Sequence, residues 1–587
     1  MNQKENLCQM KCQLVNPNFK ENYLTNILAQ RGVTDIEAFL NPSSDYLQEP
    51  IFLDNIEEGA QLLIDTLRKG GRIFTIADCD VDGATSFAII YQYMHDICDQ
   101  VNLDWEIHTG KQHGLSDFIK SLEDSQKHYD LVLITDASSN DFEFIERLKE
   151  LGTKCLILDH HEADGPFSDN AIIINNQLSP DYENKDLCGA GVTWQFCRYL
   201  DRILGVDFAK NYMDLAAFGI ISDMMSMLSL ENRYIVTEGL KELKNPFMKS
   251  LFEKQSYSMK DKLNPTSVAF YMTPLCNAMI RSGTMPEKRR MYEAFIHGTE
   301  LVPCNKRGCK GQMELLCIES ARECTNAKAK QGRILDQAEA LLEMKIVNHN
   351  LLDNKILVLR LDDEDDFPSE VNGLVAMRLA AKYKRPTLVG RVNNEGVMKG
   401  SIRNPSNSPI ASLRDFLLSS EMFEFVQGHG NAAGYALPSK KLSDFHAYAN
   451  EELSSINFDE KYFDVNFERF AVDSDLTSII MELGACEDIW GQGNEIPKIH
   501  VMSINLNRND IKVMGARQDT LKFEKNGISY IKFFAKDMIE EVEKLFQTAD
   551  SISIDIVGEP SINEYMGYSN PQIMINSYQI SDSKYSF

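Results

Sequence analysis

Acidic and histidine residues recur in this chain where apolar segments end. Asp78, Asp80 and Asp82 follow the segment Ile73–Ala77, and Asp136 follows Leu131–Thr135. Asp159, His160 and His161 follow Cys155–Leu158, and Asp223 lies shortly after Leu215–Ile221. An unpaired buried carboxylate is costly, so acids that recur at such positions are usually held by positive charge. Carboxylates combined with imidazole suit divalent ions such as Mn²⁺, Mg²⁺ or Zn²⁺. The pattern predicts a metal-dependent phosphoester hydrolase.

The elements that must position these residues form a parallel α/β arrangement. From about residue 70 to 225, β-like apolar runs alternate with helical periodicity, which is typical of a parallel sheet wrapped by helices. Parallel strands gather their C-terminal ends at one edge of the sheet, so the strand-end residues are expected to meet there. The acidic loop at Asp78–Gly83 leads into the helix-like segment Ala84–Ile90, an arrangement that can hold cations and receive phosphate.

The acidic loop has one competing interpretation, a calcium-binding EF-hand, whose loop also begins Asp-x-Asp-x-Asp-Gly. The twelfth position of that loop requires a bidentate Glu, and here it is Ile89. The segment before the loop is strand-like, whereas an EF-hand needs a helix there. The EF-hand is therefore not favoured.

The rest of the chain divides by its periodicity into further segments. Residues 1–50 are predicted to be a helical lead-in, residues 51–310 the catalytic domain, and residues 311–349 a connecting helix that begins near Met313. A second α/β domain is expected over residues 350–455, with a helix at Asn372–Tyr383, a strand at Pro386–Val389 and a glycine-rich turn at Gly428–Gly434.

The last 120 or so residues predict a small β-barrel of the OB type over residues 460–587. One helix, Lys536–Phe546, is expected before the fourth strand. The predicted strands are Ile499–Leu506, Ile511–Ala516, Ser529–Ala535, Ser551–Val557 and Gln572–Tyr578. Such barrels bind single strands by base stacking and basic grooves. The side chains suited to that role are Lys512, Arg517, Lys522, Lys525, Lys532 and Lys536, with Phe523, Tyr530, Phe533 and Phe534 among them. Aromatic residues in strands are more often core, so only a fraction of these is expected to face nucleic acid.

Composition restricts the class of protein. The 587 residues are 43% hydrophobic and carry 60 basic against 87 acidic side chains, a formal charge of −27. This charge argues against a protein that coats nucleic acid non-specifically, although a local basic channel stays compatible with it. No apolar run approaches the roughly 18 residues that span a bilayer, and the first residues lack the features of a signal peptide, so a cytoplasmic protein without membrane contact is expected. The 13 cysteines suit a reducing compartment.

The motifs together resemble the DHH phosphoesterase superfamily, and within it the RecJ family of single-strand-specific exonucleases. The core resemblance lies in Asp-x-Asp-x-Asp-Gly, the lone strand-end Asp136, Asp159-His160-His161 and the helical Asp223. Further segments that resemble RecJ motifs are His113–Ser116, Cys188–Val192, Pro274–Arg281, Gly400–Arg403, Gly428–Gly434 and Val557–Gly567. The sequence departs from the family at Ala137-Ser138, Leu275 and Gln427, so substrate preference is expected to differ while activity is kept.

The resemblance implies a site with two ions, Mn²⁺ or Mg²⁺. It implies that Asp80 binds one ion, that Asp82, His160 and Asp223 bind the other, and that Asp136 bridges them. Asp78 and His161 are expected to be catalytic groups that support the ligands or face the phosphate. The residues expected to bind substrate are Asn277, Arg281, Ser401, Arg403 and His429.

The implied function is 5′→3′ exonuclease activity that degrades single-stranded DNA to mononucleotides in DNA repair, recombination or replication. One alternative is a DHH-type oligonucleotidase or cyclic-dinucleotide phosphodiesterase, which would lack an OB barrel. The other is a non-catalytic replication scaffold, in which the acidic and histidine residues would have decayed. The expected partners are single-stranded DNA and, as candidates, a helicase or a single-strand-binding protein; the chain is expected to be a monomer.

Overall fold

The computed structural model describes residues 12–14, 22–110, 113–309, 311–362, 365, 367–405, 408–456, 465–467, 469–471, 476–565 and 567–582. They form two compact units. The first unit, called the catalytic unit, is Glu21–Lys328 together with Ala485–Ile496. The second unit is Ala329–Gly484 with Pro497–Phe587 and Met1–Lys20.

A parallel sheet lies at the centre of the catalytic unit. Within the described ranges its strands are β1 Ile73–Ala77, β2 Leu103–Ile107, β3 Leu131–Thr135, β4 Lys154–Asp159 and β5 Ala171–Asn175. Their order across the sheet is β2-β1-β3-β4-β5, and every pair is parallel. Strands β1 and β3 are buried along their whole length, as expected for apolar runs covered on both faces. A short hairpin, β6 Leu301–Pro303 and β7 Met313–Leu315, lies further along the chain.

Helices cover the sheet, and their apolar faces form the main core. They are α1 Tyr23–Gln30, α2 Ile36–Leu40, α3 Ile56–Arg68, α4 Val81–Ile97, α5 Ile119–Glu123, α6 Phe142–Glu150, α7 Gly189–Leu204, α8 Met213–Ser222, α9 Leu230–Lys241, α10 Pro246–Met259, α11 Pro265–Ser267, α12 Thr273–Ser282 and α13 Met285–His297. The core side chains of α4, α7 and α8 include Phe87, Val192 and Phe218, which are fully buried. A π-helical segment, Val268–Met272, precedes α12.

The long helix α14, Leu316–Asn348, leads from the catalytic unit into the second unit. The α/β part of the second unit contains β8 Leu357–Leu361, α15 Asn372–Tyr383, β9 Thr387–Val392, β10 Val397–Arg403, α16 Leu413–Ser419, β11 Phe425–His429, β12 Ala432–Pro438 and α17 Leu442–Glu452. The strand order is β11-β12-β10-β9-β8, in which β8 and β9 are parallel and the other pairs antiparallel.

A mixed sheet forms the C-terminal part of the second unit. Its described elements are β13 Arg469–Ala471, α18 Leu476–Gly484, β14 Ile499–Asn507, β15 Ile511–Met514, β16 Thr520–Lys525, β17 Ile528–Lys532, α19 Lys536–Leu545, β18 Ser551–Tyr565 and β19 Tyr568–Asp582. The strand order is β13-β14-β18-β19-β17-β16-β15. A separate short strand, Cys12–Leu14, pairs in parallel with Val465–Phe467.

The fold class predicted from the sequence is confirmed, with local corrections. The predicted helical lead-in contains α1 and α2 but also the strand Cys12–Leu14, and residues 1–11 and 15–21 lie outside the described residues. Residues Met313–Leu315 pair as a strand, so the long helix begins three residues later than expected. The glycine-rich turn is a two-residue hairpin loop between β11 and β12, because His429 pairs with Ala432. Strand β16 was not predicted. No helix in the described ranges combines the length and the apolar character needed to cross a membrane.

Candidate metal centre

The predicted strand-end residues meet at the C-terminal edge of the parallel sheet. Asp78 and Asp80 follow β1, Asp136 follows β3, and His160 follows β4. Asp82 lies in the first turn of α4, and Asp223 directly follows α8. The structure therefore brings together residues that are up to 145 positions apart in the sequence (223 − 78).

The Asp82 carboxylate is held by the beginning of helix α7. The backbone N–H groups of Gly189 and Ala190 donate to its two oxygens at 2.7 and 3.0 Å. These N–H groups have no partner within the helix, and the helix N-terminus favours negative charge. Helix α8 approaches from another side through Gly219, where a Cβ atom would lie 2.4 Å from Asp82 Oδ1. The carboxylate is thus fixed by close backbone approach from two helices.

The His160 imidazole faces three carboxylates. Its Nε2 lies 3.2 Å from Asp136 Oδ1, 3.6 Å from Asp223 Oδ2 and 3.9 Å from Asp82 Oδ2. Ligand atoms of Asp82, His160 and Asp223 all lie within 4.8 Å of one another. A second group, Asp78, Asp80 and Asp136, meets the same distance limit. The two donor sets are therefore adjacent, since the contact between Asp136 and His160 joins them.

Asp136 occupies a strained and crowded position between the two sets. Its φ of 65° is uncommon for a residue with a side chain. Its Oδ1 atom is buried and makes no hydrogen bond with any residue that the structure describes, and its near neighbour His160 Nε2, at 3.2 Å, can carry a lone pair in place of a proton. At Gly189 a Cβ atom would lie 2.4 Å from that oxygen, so only glycine leaves room for it. A buried oxygen without a donor is rare, and a bound cation would satisfy it.

Burial and mutual repulsion raise the pKa values of the clustered acids. Burial, followed by the charges of Asp82 and other carboxylates, raises the pKa of Asp136 well above that of an ordinary aspartate. The same causes raise the pKa of Asp80 to about 6 and that of Asp223 to about 8. Several clustered carboxyl groups with raised pKa values cannot all be ionised at neutral pH unless positive charge is bound beside them. The donor set and the orphaned oxygen fit hard divalent ions.

The neighbouring Asp159 orients the histidine pair. Its carboxylate accepts hydrogen bonds from the backbone N–H groups of His160 and Ser139, at 2.7 and 3.0 Å, and from His161 Nδ1 at 2.8 Å. Burial opposes ionisation of Asp159, but these bonds outweigh it and lower its pKa. The bond to Asp159 raises the pKa of His161 to about 9. Burial lowers the pKa of His160 and favours a neutral ring that can act as a ligand.

Two further histidines surround Asp78, and sequence reasoning gave neither of them a role. His108 Nε2 lies 3.3 Å from Asp78 Oδ1, and His113 Nδ1 lies 2.5 Å from Asp78 Oδ2. The hydroxyl of Tyr292 donates to the backbone carbonyl of Asp78 at 2.6 Å. His108 directly follows β2, so the strand-end rule that located the other residues applies to it as well.

Comparison with known proteins places this centre in a family. The DHH family N-terminal domain model matches residues 72–220, and the RecJ OB domain model matches residues 473–577. A putative SPbeta prophage-derived single-strand DNA-specific exonuclease of Bacillus subtilis, YorK, is 36% identical over 567 residues, or 96% of both chains. This chain belongs to the RecJ family. The single-stranded-DNA-specific exonuclease RecJ of the same organism is 25% identical over 581 residues, covering 95% of this chain and 68% of RecJ.

A solved RecJ structure shares the fold. The crystal structure of RecJ from Thermus thermophilus in complex with Mn²⁺ matches 99% of this chain and 80% of that chain, with a TM-score of 0.74 and 20% identity. A structure of the same protein in complex with Mg²⁺ matches with a TM-score of 0.66.

The residues expected to bind substrate in this RecJ-family chain fall into two groups. Asn277 and Arg281 lie one helical turn apart on α12 of the catalytic unit, and both are half-buried. Burial lowers the pKa of Arg281, and the charges of Asp80 and Cys79 oppose that effect. The Arg281 guanidinium is thus within electrostatic reach of the acidic loop.

The other three expected residues lie at one end of the α/β sheet of the second unit. Ala432 pairs with both Arg403 and His429, and Ser401 lies two residues before Arg403 on the same face of β10. Arg403 Nη1 donates to the carbonyl of Ile402 at 2.7 Å, while the His429 side chain is exposed.

The C-terminal sheet separates core aromatics from exposed ones. Phe523 and Tyr530 are buried and stack with ring centroids 4.8 Å apart. Phe533 and Phe534 are 50% and 84% exposed. Of the four aromatic residues suggested by the sequence, only the last two are free to meet a ligand.

Proposed function

We propose that this chain is a metal-dependent 5′→3′ exonuclease that degrades single-stranded DNA to mononucleotides in DNA repair, recombination or replication. The observation that carries the proposal is the pair of adjacent donor clusters that contain Asp80, Asp82, Asp136, His160 and Asp223 in a member of the RecJ family. The relatives named as single-strand DNA-specific exonucleases support the choice of substrate.

Two divalent ions, Mn²⁺ or Mg²⁺, would be held by the two donor sets. Asp82, His160 and Asp223 would hold one ion, Asp80 the other, and Asp136 would reach both. When bound, such ions supply an activated water and charge stabilisation for the phosphate in the transition state. This assignment is supported by the buried Oδ1 of Asp136, which makes no hydrogen bond within the described part of the chain.

The protein's own side chains would orient the substrate around this pair. Asp159 fixes the His161 ring through Nδ1, so the opposite nitrogen is available to a phosphate oxygen, and the side chain is 52% exposed. Asp78, clamped by His108 and His113, would hold the acidic loop in place. Arg281 and Asn277 would contact phosphate from α12, where the planar guanidinium can make paired hydrogen bonds.

Ser401, Arg403 and His429 are proposed to bind the nucleic acid through the second unit. Their common position at one end of the sheet supports a shared role. The exposed Phe533 and Phe534 are proposed to stack on bases, because aromatic platforms of OB domains bind single strands in this way. A cytoplasmic location, a monomeric state, and a helicase or single-strand-binding partner stay predictions from the sequence.

The proposal is tested with the purified full chain, Mn²⁺ and single-stranded DNA labelled at either end. Early release of a labelled mononucleotide from the 5′ end alone, abolished in Asp136→Ala, is the expected result. Release from the 3′ end first would contradict the polarity.

The same assay separates the rival functions. Cleavage restricted to substrates of two to five nucleotides or to cyclic dinucleotides would establish the oligonucleotidase or cyclic-dinucleotide phosphodiesterase. DNA binding without any cleavage would establish the scaffold. The intact donor sets argue against the scaffold, and the C-terminal RecJ OB domain argues against the small-substrate enzyme.

A further inference from the structure

One segment of the chain belongs to the catalytic unit although, in the sequence, elements of the second unit precede and follow it. This segment, Ala485–Ile496, here called the strap, follows α18 and precedes β14, yet it belongs to the compact unit that contains the metal centre. Its residues Ile489, Trp490 and Asn494 are buried. The strap is therefore an integral part of the catalytic unit and more than a linker.

The catalytic unit holds the strap through two buried or half-buried arginines. Arg31 Nη1 donates to Asn494 Oδ1 at 2.5 Å and to the carbonyl of Glu495 at 2.6 Å, and its guanidinium lies 5.5 Å from the Trp490 ring centroid. Arg233, which is 1% exposed, donates to the carbonyl of Asp488 at 2.7 Å. Hydrogen bonds from charged groups are among the strongest in proteins, so the strap has a defined position.

The strap contacts the loop that carries Asp223. This loop, residues 223–227, connects α8 to the segment before α9. The backbone N–H of Met227 donates to the carbonyl of Gln492 at 2.8 Å. At Gly491 a Cβ atom would lie 2.7 Å from Met227 Cγ, and at Gly493, whose φ is +74°, a Cβ atom would lie 2.9 Å from Ser226 Oγ. The backbone of the strap thus approaches the loop as closely as glycine allows.

The other end of the loop is fixed by helix α8. Asp223 N–H donates to the carbonyl of Gly219 at 2.9 Å, and Met225 N–H donates to that of Ile220 at 3.0 Å. Between these anchors Met224 has a φ of 56° and a side chain that is 63% exposed. A loop in an unfavourable conformation persists only where the surrounding structure fixes it. The strap supplies the second anchor.

We infer that the strap is a positioning element for Asp223, which fixes the 223–227 loop so that the carboxylate faces His160 and Asp82. This inference rests on the proposed function, since it assigns Asp223 to one of two metal ions. Only the donor set of Asp82, His160 and Asp223 depends on the loop. The set of Asp78, Asp80 and Asp136 does not include it. A perturbed strap therefore weakens the binding of one ion and leaves the other unaffected.

The test uses the full chain with Gly493→Ala and, as a second variant that removes no glycine, Arg31→Ala. The matched control is Gly205→Ala, which has a similar φ of +68° in the same unit but no atom of the described residues within 4 Å of the added Cβ. Mn²⁺ binding is measured by calorimetry, and cleavage of single-stranded DNA is measured against Mn²⁺ concentration. In both Gly493→Ala and Arg31→Ala, here called the strap variants, we expect the affinity of one of the two Mn²⁺ sites to fall by about 10–100-fold. This is the effect typical of residues that orient metal ligands. Saturating Mn²⁺ should then restore turnover.

The outcomes separate the inference from the proposed function. If the unmodified chain binds two Mn²⁺ ions and cleaves DNA but both strap variants match Gly205→Ala, the strap inference is wrong and the function stands. Equal weakening of both ions, together with a lowered melting temperature, would show general destabilisation and also overturn the inference. A chain that binds no Mn²⁺ would overturn the proposed function, and the strap inference with it.

Discussion

At the scale of single residues, Asp136 is the side chain that we propose to reach both metal ions. Its replacement by Asn keeps the size of the side chain but removes the charge. Loss of metal charge stabilisation worth several kcal/mol predicts a fall in kcat on the order of 10³-fold. Asp78→Asn should cost only about 10–100-fold, because we propose that Asp78, which contacts His108 and His113, orients the acidic loop and does not bind an ion.

These two variants are compared in a single-turnover assay of single-stranded DNA cleavage at saturating Mn²⁺. Asp124→Asn, at an exposed position in the same unit, is the matched control and should leave the rate unchanged. Equal losses in Asp136→Asn and Asp78→Asn would contradict the division of roles between the two aspartates.

The glycine that faces Asp82 provides a second test at this scale. Gly219→Ala would place a Cβ atom 2.4 Å from Asp82 Oδ1 and 2.5 Å from Ala190 Cβ, so the carboxylate or helix α8 must move. Glycine to alanine in a helix otherwise stabilises by roughly 1 kcal/mol. We expect Gly219→Ala to lower Mn²⁺ affinity and the free energy of unfolding.

The control for this variant is Gly332→Ala in α14, where the part of the chain that the structure describes places no atom within 4 Å of the added Cβ. It should raise the free energy of unfolding slightly in a urea titration and leave Mn²⁺ binding intact. If Gly219→Ala matches this control in its free energy of unfolding and in its Mn²⁺ affinity, then the close approach of α8 to Asp82 contributes to neither property.

At the scale of elements, the sequence predicted strands β1, β3 and β4 from their apolar runs, but it did not predict β5, Ala171–Asn175, which is also largely apolar. Strands β1 and β3 are buried throughout and β4 is buried after Lys154, and their strand-end acids were located with them. Strand β2 lies at the edge of the sheet and reads Leu-Asp-Trp-Glu-Ile, so it has no apolar run. His108 was missed for that reason, although it follows its strand as Asp136 follows β3.

Other elements were missed where a contact is distant in the sequence or a strand is polar. Strand β16, Thr520–Lys525, carries Lys522, Glu524 and Lys525, and only Leu521 and Phe523 mark its buried face. The bond from Gly189 to Asp82 joins residues 107 positions apart, so no local pattern could indicate it. The helix Asn372–Tyr383 was predicted with its observed bounds because its apolar periodicity is regular.

The turn after β17 supports a prediction about the C-terminal sheet. Phe534 has a φ of 53° and is 84% exposed, an arrangement that presents an aromatic ring to solvent. Base stacking on an aromatic side chain is worth about 1–3 kcal/mol. Phe534→Ala should therefore weaken binding of a long single strand by roughly 5–150-fold, with kcat at saturating DNA unchanged.

Binding is measured by fluorescence anisotropy in EDTA, so that cleavage does not interfere. The matched control is Tyr257→Ala, because Tyr257 is a comparably exposed aromatic residue, at 96%, on α10 of the catalytic unit. A Phe534→Ala protein that binds as tightly as the control would exclude this ring from the DNA path.

At the scale of the whole molecule, the acid cluster links folding stability to pH. The folded-state pKa values of Asp80 and Asp223, about 6 and about 8, lie above the ordinary value of 3.8. Groups with a raised folded pKa stabilise the fold fully below the unfolded pKa and lose that contribution as pH rises through the folded value. The pKa of His161 is raised to about 9, so His161 also loses its contribution to folding stability as the pH rises, over a higher pH range. His160, whose pKa is lowered by burial, acts in the opposite direction and only at acidic pH.

The metal-free protein should therefore lose stability between about pH 4 and pH 9, because each raised pKa removes stability from the unfolded value up to the folded one as the crowded carboxylates ionise without a counter-charge. Mn²⁺ binds only to the ionised carboxylates and so competes with protons. The rise in melting temperature on adding Mn²⁺ should accordingly grow as pH increases over this range, because binding to the folded state alone adds stability. Differential scanning fluorimetry in EDTA and in Mn²⁺ measures both curves, and Asp136→Asn should lose most of the gain. A gain in melting temperature that is constant or shrinks with rising pH would mean that the clustered acids are not where the metal binds.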